Sequence, residues 1–295
     1  QKLNNLFSEM CIAFMSISDN PKQDGYKVII AVNRDEFYYR PTKELDWWDD
    51  NPDIISGVDL FPGKEGGTWL GMTKTGKIGI LTNYRQSKKF RIQNGKGRGH
   101  LVSDFLKSEE KPRAFLENVA KHGSEYDGFN LILGNVCPEN SEINFSYFCN
   151  KEQQPLKDLK AGIYGLSNRY LDYGWKKIVC GKERFEKIVK GDRKVQGKIE
   201  NVLELLQDQT RYGIDDIFRG PEDEGLPDNF LEALSAISVN IPEVKYGTRT
   251  NSIIVIDDKD NATFFERTMV EPVNLKNPVW KVNSFEFKIE SHINS

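Results

Sequence analysis

Cys11 opens a short apolar run, Cys11-Ile12-Ala13-Phe14-Met15, and Asn33-Arg34-Asp35-Glu36 closes the next one. A cysteine at a strand start, with an Arg-Asp pair at the end of the neighbouring strand, suits an N-terminal nucleophile. In that chemistry the thiolate attacks and the residue's own α-amino group serves as base. A nearby arginine stabilises the thiolate, and a carboxylate can hold the amine. Arg34 and Asp35 supply one of each and, as consecutive strand residues, point to opposite faces. They also read as a plain strand-end turn with salt bridges. The mechanism requires cleavage before Cys11, because residues 1–10 precede it.

Further candidates sit at strand ends. Asn83 closes Leu81-Thr82-Asn83 and Asn168 closes Gly165-Leu166-Ser167-Asn168. Such amides donate into oxyanion holes or make turns and caps. Arg249, in Tyr246-Gly247-Thr248-Arg249-Thr250-Asn251, enters a strand and can bind a carboxylate or phosphate, or form a salt bridge. Gly95-Lys96-Gly97-Arg98-Gly99-His100 precedes a helix, where converging N–H groups can bind an anion. It lacks Gly-Lys-Ser or Gly-Lys-Thr, so a flexible loop is the competing reading. His100 at a helix start and His122 at a helix end read as surface or cap residues, or as axial ligands to haem iron. Cys137-Pro138 reads as a turn.

Composition excludes several classes. Charged residues make up 29% with a net charge of −3, which argues against a basic nucleic-acid surface. No apolar run approaches the roughly 20 residues of a membrane span. Cys11, Cys137, Cys149 and Cys180 are widely spaced and form no CxxC, which suggests a reducing compartment and no structural zinc. The three histidines leave no room for a multi-histidine metal centre, so no metal is expected.

These residues need a scaffold, and periodicity outlines one. Strands are expected at 11–18, 26–32, 68–73, 77–83, 129–134, 143–149, 162–167, 252–257, 262–267 and 285–289, with turns at 74–76 and 258–261. Helices are expected at 100–107, 112–121, 175–189, 195–206 and 229–238, the last capped by Asp228 after Pro227. Residues 213–224 read as a polar surface loop. The strand–helix order favours an α+β layered domain with antiparallel sheets. Residues 1–10 read as a disordered extension, and 11–295 as a single domain.

Taken together, the motifs are more specific than any alone. Asn33-Arg34-Asp35-Glu36-Phe37 with Arg40-Pro41, Gly66-Gly67-Thr68-Trp69-Leu70-Gly71, Thr82-Asn83-Tyr84-Arg85, Gly97-Arg98-Gly99 with Leu101-Val102, Gly165-Leu166-Ser167-Asn168 and Tyr246-Gly247-Thr248-Arg249-Thr250 occur in order. From Met10 to about Val270 the chain resembles the NRDE family, the transport and Golgi organization protein 2 family. The resemblance implies an N-terminal-nucleophile hydrolase-like αββα sandwich of two antiparallel sheets. The wider group of cysteine N-terminal-nucleophile hydrolases, which includes choloylglycine hydrolases and penicillin V acylases, implies a site of Cys11, Arg34, Asp35, Asn83, Asn168 and Arg249. The family further implies intracellular haem mobilisation, in cytosol, mitochondrion or Golgi.

Three functions follow as expectations. The first is a haem chaperone with haem or another amphipathic molecule as cargo. It would use Trp47, Trp48, Tyr84 and Arg85 as lining groups, His100 or His122 as axial ligand, and transient contacts to a membrane or acceptor protein. The second is a cysteine-nucleophile amide or thioester hydrolase. The third is an acyl-coenzyme A or lipid binding module using the Gly95–His100 loop.

Overall fold

Cys11–Ile17 is buried along its whole length, as a strand covered on both faces must be. The structure is a computed structural model that describes residues 10–21, 25–92, 95–138, 142–152, 156–191, 194–215, 218–223 and 225–291. Residues 1–9 of the expected extension, and His292, lie outside the described residues.

In chain order the strands are β1 (Cys11–Ile17), β2 (Tyr26–Phe37), β3 (Thr42–Trp47), β4 (Ile54–Asp59), β5 (Leu70–Thr73), β6 (Lys77–Asn83), β7 (Phe129–Cys137), β8 (Glu142–Cys149), β9 (Leu156–Leu159), β10 (Gly162–Leu166), β11 (Asn240–Ile241), β12 (Tyr246–Asp257), β13 (Asn261–Met269) and β14 (Trp280–Lys288). The helices are α1 (His100–Lys107), α2 (Pro112–Lys121), α3 (Lys176–Lys190), α4 (Val195–Leu206) and α5 (Asp228–Leu234). One antiparallel sheet runs β10-β1-β2-β12-β13-β14, with β11 on β12; the other runs β3 to β9 in sequence order.

Three apolar cores separate four layers. Phe14, Ile29, Ile253 and Val255 meet Ile178, Phe185, Val202 and Leu205 between the first sheet and α3–α5. Met15, Ile30 and Ile254 meet Met72, Ile80 and Ile132 between the two sheets. Leu81, Leu131 and Leu133 meet Val102, Phe105 and Leu116 beneath α1 and α2. This is the αββα architecture that the motifs imply.

Close helix contact has a local cause. Gly71 and Gly79 face each other across β5 and β6. A Cβ at Gly71 would lie 2.7 Å from Leu106, and one at Gly79 2.7 Å from Val102, so the bare patch lets α1 settle on the sheet. Lys77 on β6 then donates to the carbonyls of Phe105 (2.7 Å) and Ser108 (2.5 Å), capping the C-terminal end of α1.

Several elements depart from the sequence reading. β2 runs on to Phe37 and β12 starts at Tyr246, so Arg34, Asp35 and Thr248 lie within strands rather than at their ends. Their polar side chains can stay in the sheet because each has a buried partner, a tertiary fact that periodicity does not carry. β3, β4 and β9 were not expected from pattern. Within the described part of 213–224, Phe218 and Asp223 are buried, so this segment is not simply a surface loop. Asp228 is the first residue of α5 and makes no side-chain cap; its carboxylate pairs with Arg219 at 2.5 Å.

Candidate functional site

Cys11 stands opposite Arg34 in the β1–β2 register, so their side chains share the face between the sheets. The Arg34 guanidinium stacks over Trp69 at 4.3 Å and donates to Thr42 Oγ1 at 2.9 Å. Its burial lowers its pKa from the usual guanidinium value.

The Cys11 nitrogen is held in place. Its N–H donates to Asn168 Oδ1 at 3.0 Å, and Ser167 Oγ donates to the Cys11 carbonyl at 2.6 Å. Asn168 Nδ2 in turn donates to the Asn83 carbonyl at 2.7 Å, tying β10 to β6 across the sheets. The preceding Met10 is fully buried, and its N–H donates to Tyr246 Oη at 2.5 Å. Tyr246 Oη donates to the Asp35 carbonyl at 3.2 Å.

Asp35 lies on the other face of β2. Its Oδ1 accepts from Thr248 Oγ1 at 2.5 Å, and its Oδ2 is buried with no hydrogen-bond partner among the described residues. Burial raises the carboxyl pKa, opposed by the Thr248 hydrogen bond and by Lys177. Lys177, on α3, is itself fully buried, and burial lowers its pKa against the pull of Asp35. Between the sheets, burial likewise pushes Glu266 up to about 7, while the Leu45 N–H and the Ser252 hydroxyl oppose it.

A cleft of about 410 Å³ opens at Cys11. Its volume falls in the range of roughly 300–1,000 Å³ typical of small-molecule sites. Cys11, Arg34, Asp35 and Asn83 reach its inner end, and Phe61, Trp69, Leu81 and Ile92 provide apolar wall. Arg40, Lys64, Lys96 and Arg98 give its mouth a cationic character, against Glu36, Asp59 and Asp127, and His100 stands beside them. Arg40 is committed to Asp59 at 2.7 Å, and Lys96 pairs with Glu125 at 2.5 Å. The mouth is shaped by backbone contact, because a Cβ on Gly67 would sit 3.1 Å from the Gly99 Cα.

The structure brings together Cys11, Arg34, Asp35, Asn83 and Asn168, with His100 on the cleft. It does not bring the remaining candidates there. Arg249 is buried behind the cleft, donating to the Arg40 carbonyl and pairing with Glu271 at 2.6 Å. Arg85 forms a buried ion pair with Asp223, and Tyr84 Oη accepts from Arg169 at 3.1 Å. His122 sits on the surface at the end of α2, paired with Glu125 at 2.8 Å. Trp47 packs against Phe285 and Phe287, and the Trp48 indole N–H donates to Ser56. Sequence reasoning missed Tyr246, Thr248, Lys177 and Glu266. Tyr246 and Thr248 lay inside a motif already noticed, but a lone lysine or glutamate in a periodic segment gives no sign of burial.

Fold and site define the class: a four-layer αββα sandwich of two antiparallel sheets with a cysteine at the start of a central strand. The model of the family described as Transport and Golgi organisation 2 matches residues 10–271. The chain is 36% identical to the Mus musculus Transport and Golgi organization 2 homolog over 96% of its length and 100% of that protein. It is 32% identical to the Drosophila melanogaster Transport and Golgi organization protein 2, over 88% of this chain and 92% of that one. The chain belongs to the Transport and Golgi organisation 2 family. Among solved structures it is similar to a mutant conjugated bile acid hydrolase from Clostridium perfringens, at TM-score 0.44 and 8% identity, covering 98% of this chain and 99% of that one. It is also similar to a Caenorhabditis elegans N-acylethanolamine-hydrolyzing acid amidase ortholog, at TM-score 0.39 and 9% identity, covering 83% and 92%.

Proposed function

We propose that the chain holds an amphipathic anion in the Cys11 cleft and hands it on unchanged, with haem as the cargo. The observation that carries this reading is an open cleft of about 410 Å³ with apolar groups on its wall and basic side chains at its mouth. Trp69, Phe61, Leu81 and Ile92 offer a porphyrin an apolar wall, and Lys64, Lys96 and Arg98 suit its propionates. His100 is the axial ligand in this reading. One ligand and solvent-screened cations favour release, which a carrier requires. The relatives' names refer to transport and Golgi organization, in keeping with a role between compartments in cytosol, mitochondrion or Golgi.

Titrating haemin while following the Soret band tests this. Wild type and His122→Ala should give the same saturable shift, and His100→Ala a shift at least tenfold weaker in haemin. No saturable shift in wild type overturns the reading. Palmitoyl-coenzyme A, added as competitor, should displace haemin poorly; tighter binding than haemin would move the cargo to the acyl-thioester class.

A second reading, a cysteine amide or thioester hydrolase, is favoured by the Asn168 Oδ1 contact, which would orient a Cys11 ammonium after cleavage. Intact mass of protein from its native host decides. A chain starting at Cys11 that takes up an acyl adduct supports the hydrolase, whereas a chain retaining Met10 rules out the free-amine mechanism.

A further inference from the structure

A separate cavity of about 200 Å³ lies on the helix-facing side of the first sheet, between the end of α4 and the connection from β13 to β14. Its floor includes Asn251 and Arg267, which are register partners on β12 and β13. A relay of amides fixes the orientation of Asn251. Asn33 Nδ2 donates to the carbonyls of Leu206 (2.8 Å) and Ile237 (3.0 Å), so Asn33 Oδ1 is left to accept. Asn251 Nδ2 fills that role at 2.7 Å, which leaves Asn251 Oδ1 as a buried acceptor with no donor among the described residues. Asn251 is 1% exposed, so water in bulk does not satisfy it.

Arg267 is the second unmatched group. Its guanidinium lies over Trp280 at 3.9 Å, and its Nε is buried with no acceptor among the described residues. Burial alone lowers its pKa, in keeping with the lack of a carboxylate partner among the described residues. An orphaned acceptor beside an unpaired guanidinium, both on register-paired residues under walls of Val239, Met269 and Leu275, leaves two unmatched polar groups facing one cavity.

We propose that this cavity is a second ligand site, for a small carboxylate carrying an N–H or O–H donor beside the acid and an apolar tail, the chemistry of an apolar α-amino acid. The carboxylate pairs with the Arg267 fork. The adjacent ammonium donates to Asn251 Oδ1. The tail lies against Val239, Met269, Leu275 and Trp280. The site is distinct from the Cys11 cleft, although Thr248, which lines the cavity, also bonds Asp35, which lines the cleft. It does not depend on the carrier reading.

Calorimetric titration of the full chain with L-leucine and L-phenylalanine provides the test. One of them should bind at a single site, at least tenfold more weakly to Arg267→Met than to wild type, with Arg267→Lys in between. Because Asn251→Ala also strips Asn33 of its partner and can unfold the chain, Asn251 is probed instead with ligands on wild type. The decarboxylated amines isoamylamine and phenethylamine, and 4-methylpentanoate, which lacks the amine, should each bind at least tenfold more weakly. No heat from either amino acid at millimolar concentration overturns the proposal. So does binding that is equal in Arg267→Met, or equal for the analogues.

Discussion

At the scale of single residues, the Asn-Arg-Asp-Glu run is chiefly a set of buried anchors. Asn33 ties the sheet to the helix layer, Arg34 stacks on Trp69 beside Cys11, Asp35 engages Thr248, and Glu36 accepts from the Phe37 N–H at 2.8 Å. The residue types and their link to Cys11 were legible in the sequence; the partners of Asn33, Arg34 and Asp35 were not, because Leu206, Ile237, Trp69 and Thr248 lie on distant segments. Glu266 yields a pH prediction. Its folded pKa of about 7 exceeds the ordinary carboxyl value of 4.5, so the native state favours the protonated form. The stability linked to it is fully present below about pH 4.5 and is lost as pH rises through 7. Glu266→Gln should remove this loss, gaining up to roughly 3 kcal/mol at pH 8 relative to pH 4. The Ser252 hydroxyl can rotate to accept from the new amide. Chemical unfolding across pH 4–8 checks it, and an unchanged slope in the variant would count against the burial of Glu266 as its cause.

At the scale of elements, helices were read more faithfully than strand limits. α1, α2 and α4 match their apolar periodicity, because one face of each packs on a sheet or neighbouring helix. β2 and β12 overran their apolar cores because polar residues such as Asp35 with Thr248, and Asn33 with Asn251, bond to each other across the two strands. The Gly71–Gly79 patch sets the height of α1, and with it the glycine loop at the cleft mouth. Gly79→Val should force α1 off the sheet and cost about 1–3 kcal/mol, the usual range for overpacking; a melting temperature equal to wild type would refute this close contact. The segment carrying Phe218 and Asp223 is pinned by Arg85. Asp223→Ala leaves that buried guanidinium with only the Glu222 carboxylate, 4.0 Å away, at a cost of roughly 1.5–3 kcal/mol for the lost charged hydrogen bond. Denaturant midpoints, with the slope unchanged, measure it. Nothing in the sequence marked Arg85 as internal, since an arginine after a strand end looks solvated until its partner comes from another part of the chain.

At the scale of the whole molecule, the two sheets bring β10, β1 and β2 against β6, so that Cys11, Asn83 and Asn168 meet although they lie far apart in sequence. The αββα layering was implied by motif order and follows physically from sheets that each bury both faces. Among the described residues no helix is long and apolar enough to cross a membrane. The cleft and the second cavity open on different faces of one sheet, which lets a cargo site and a small-ligand site coexist. The most direct measurement is haem transfer from the loaded protein to apomyoglobin, followed by absorbance. A carrier delivers its haem completely and chemically unchanged, and Lys64→Glu with Lys96→Glu loads at least tenfold less. A protein that never loads, keeps its haem, or degrades the porphyrin contradicts the carrier function of the Cys11 cleft.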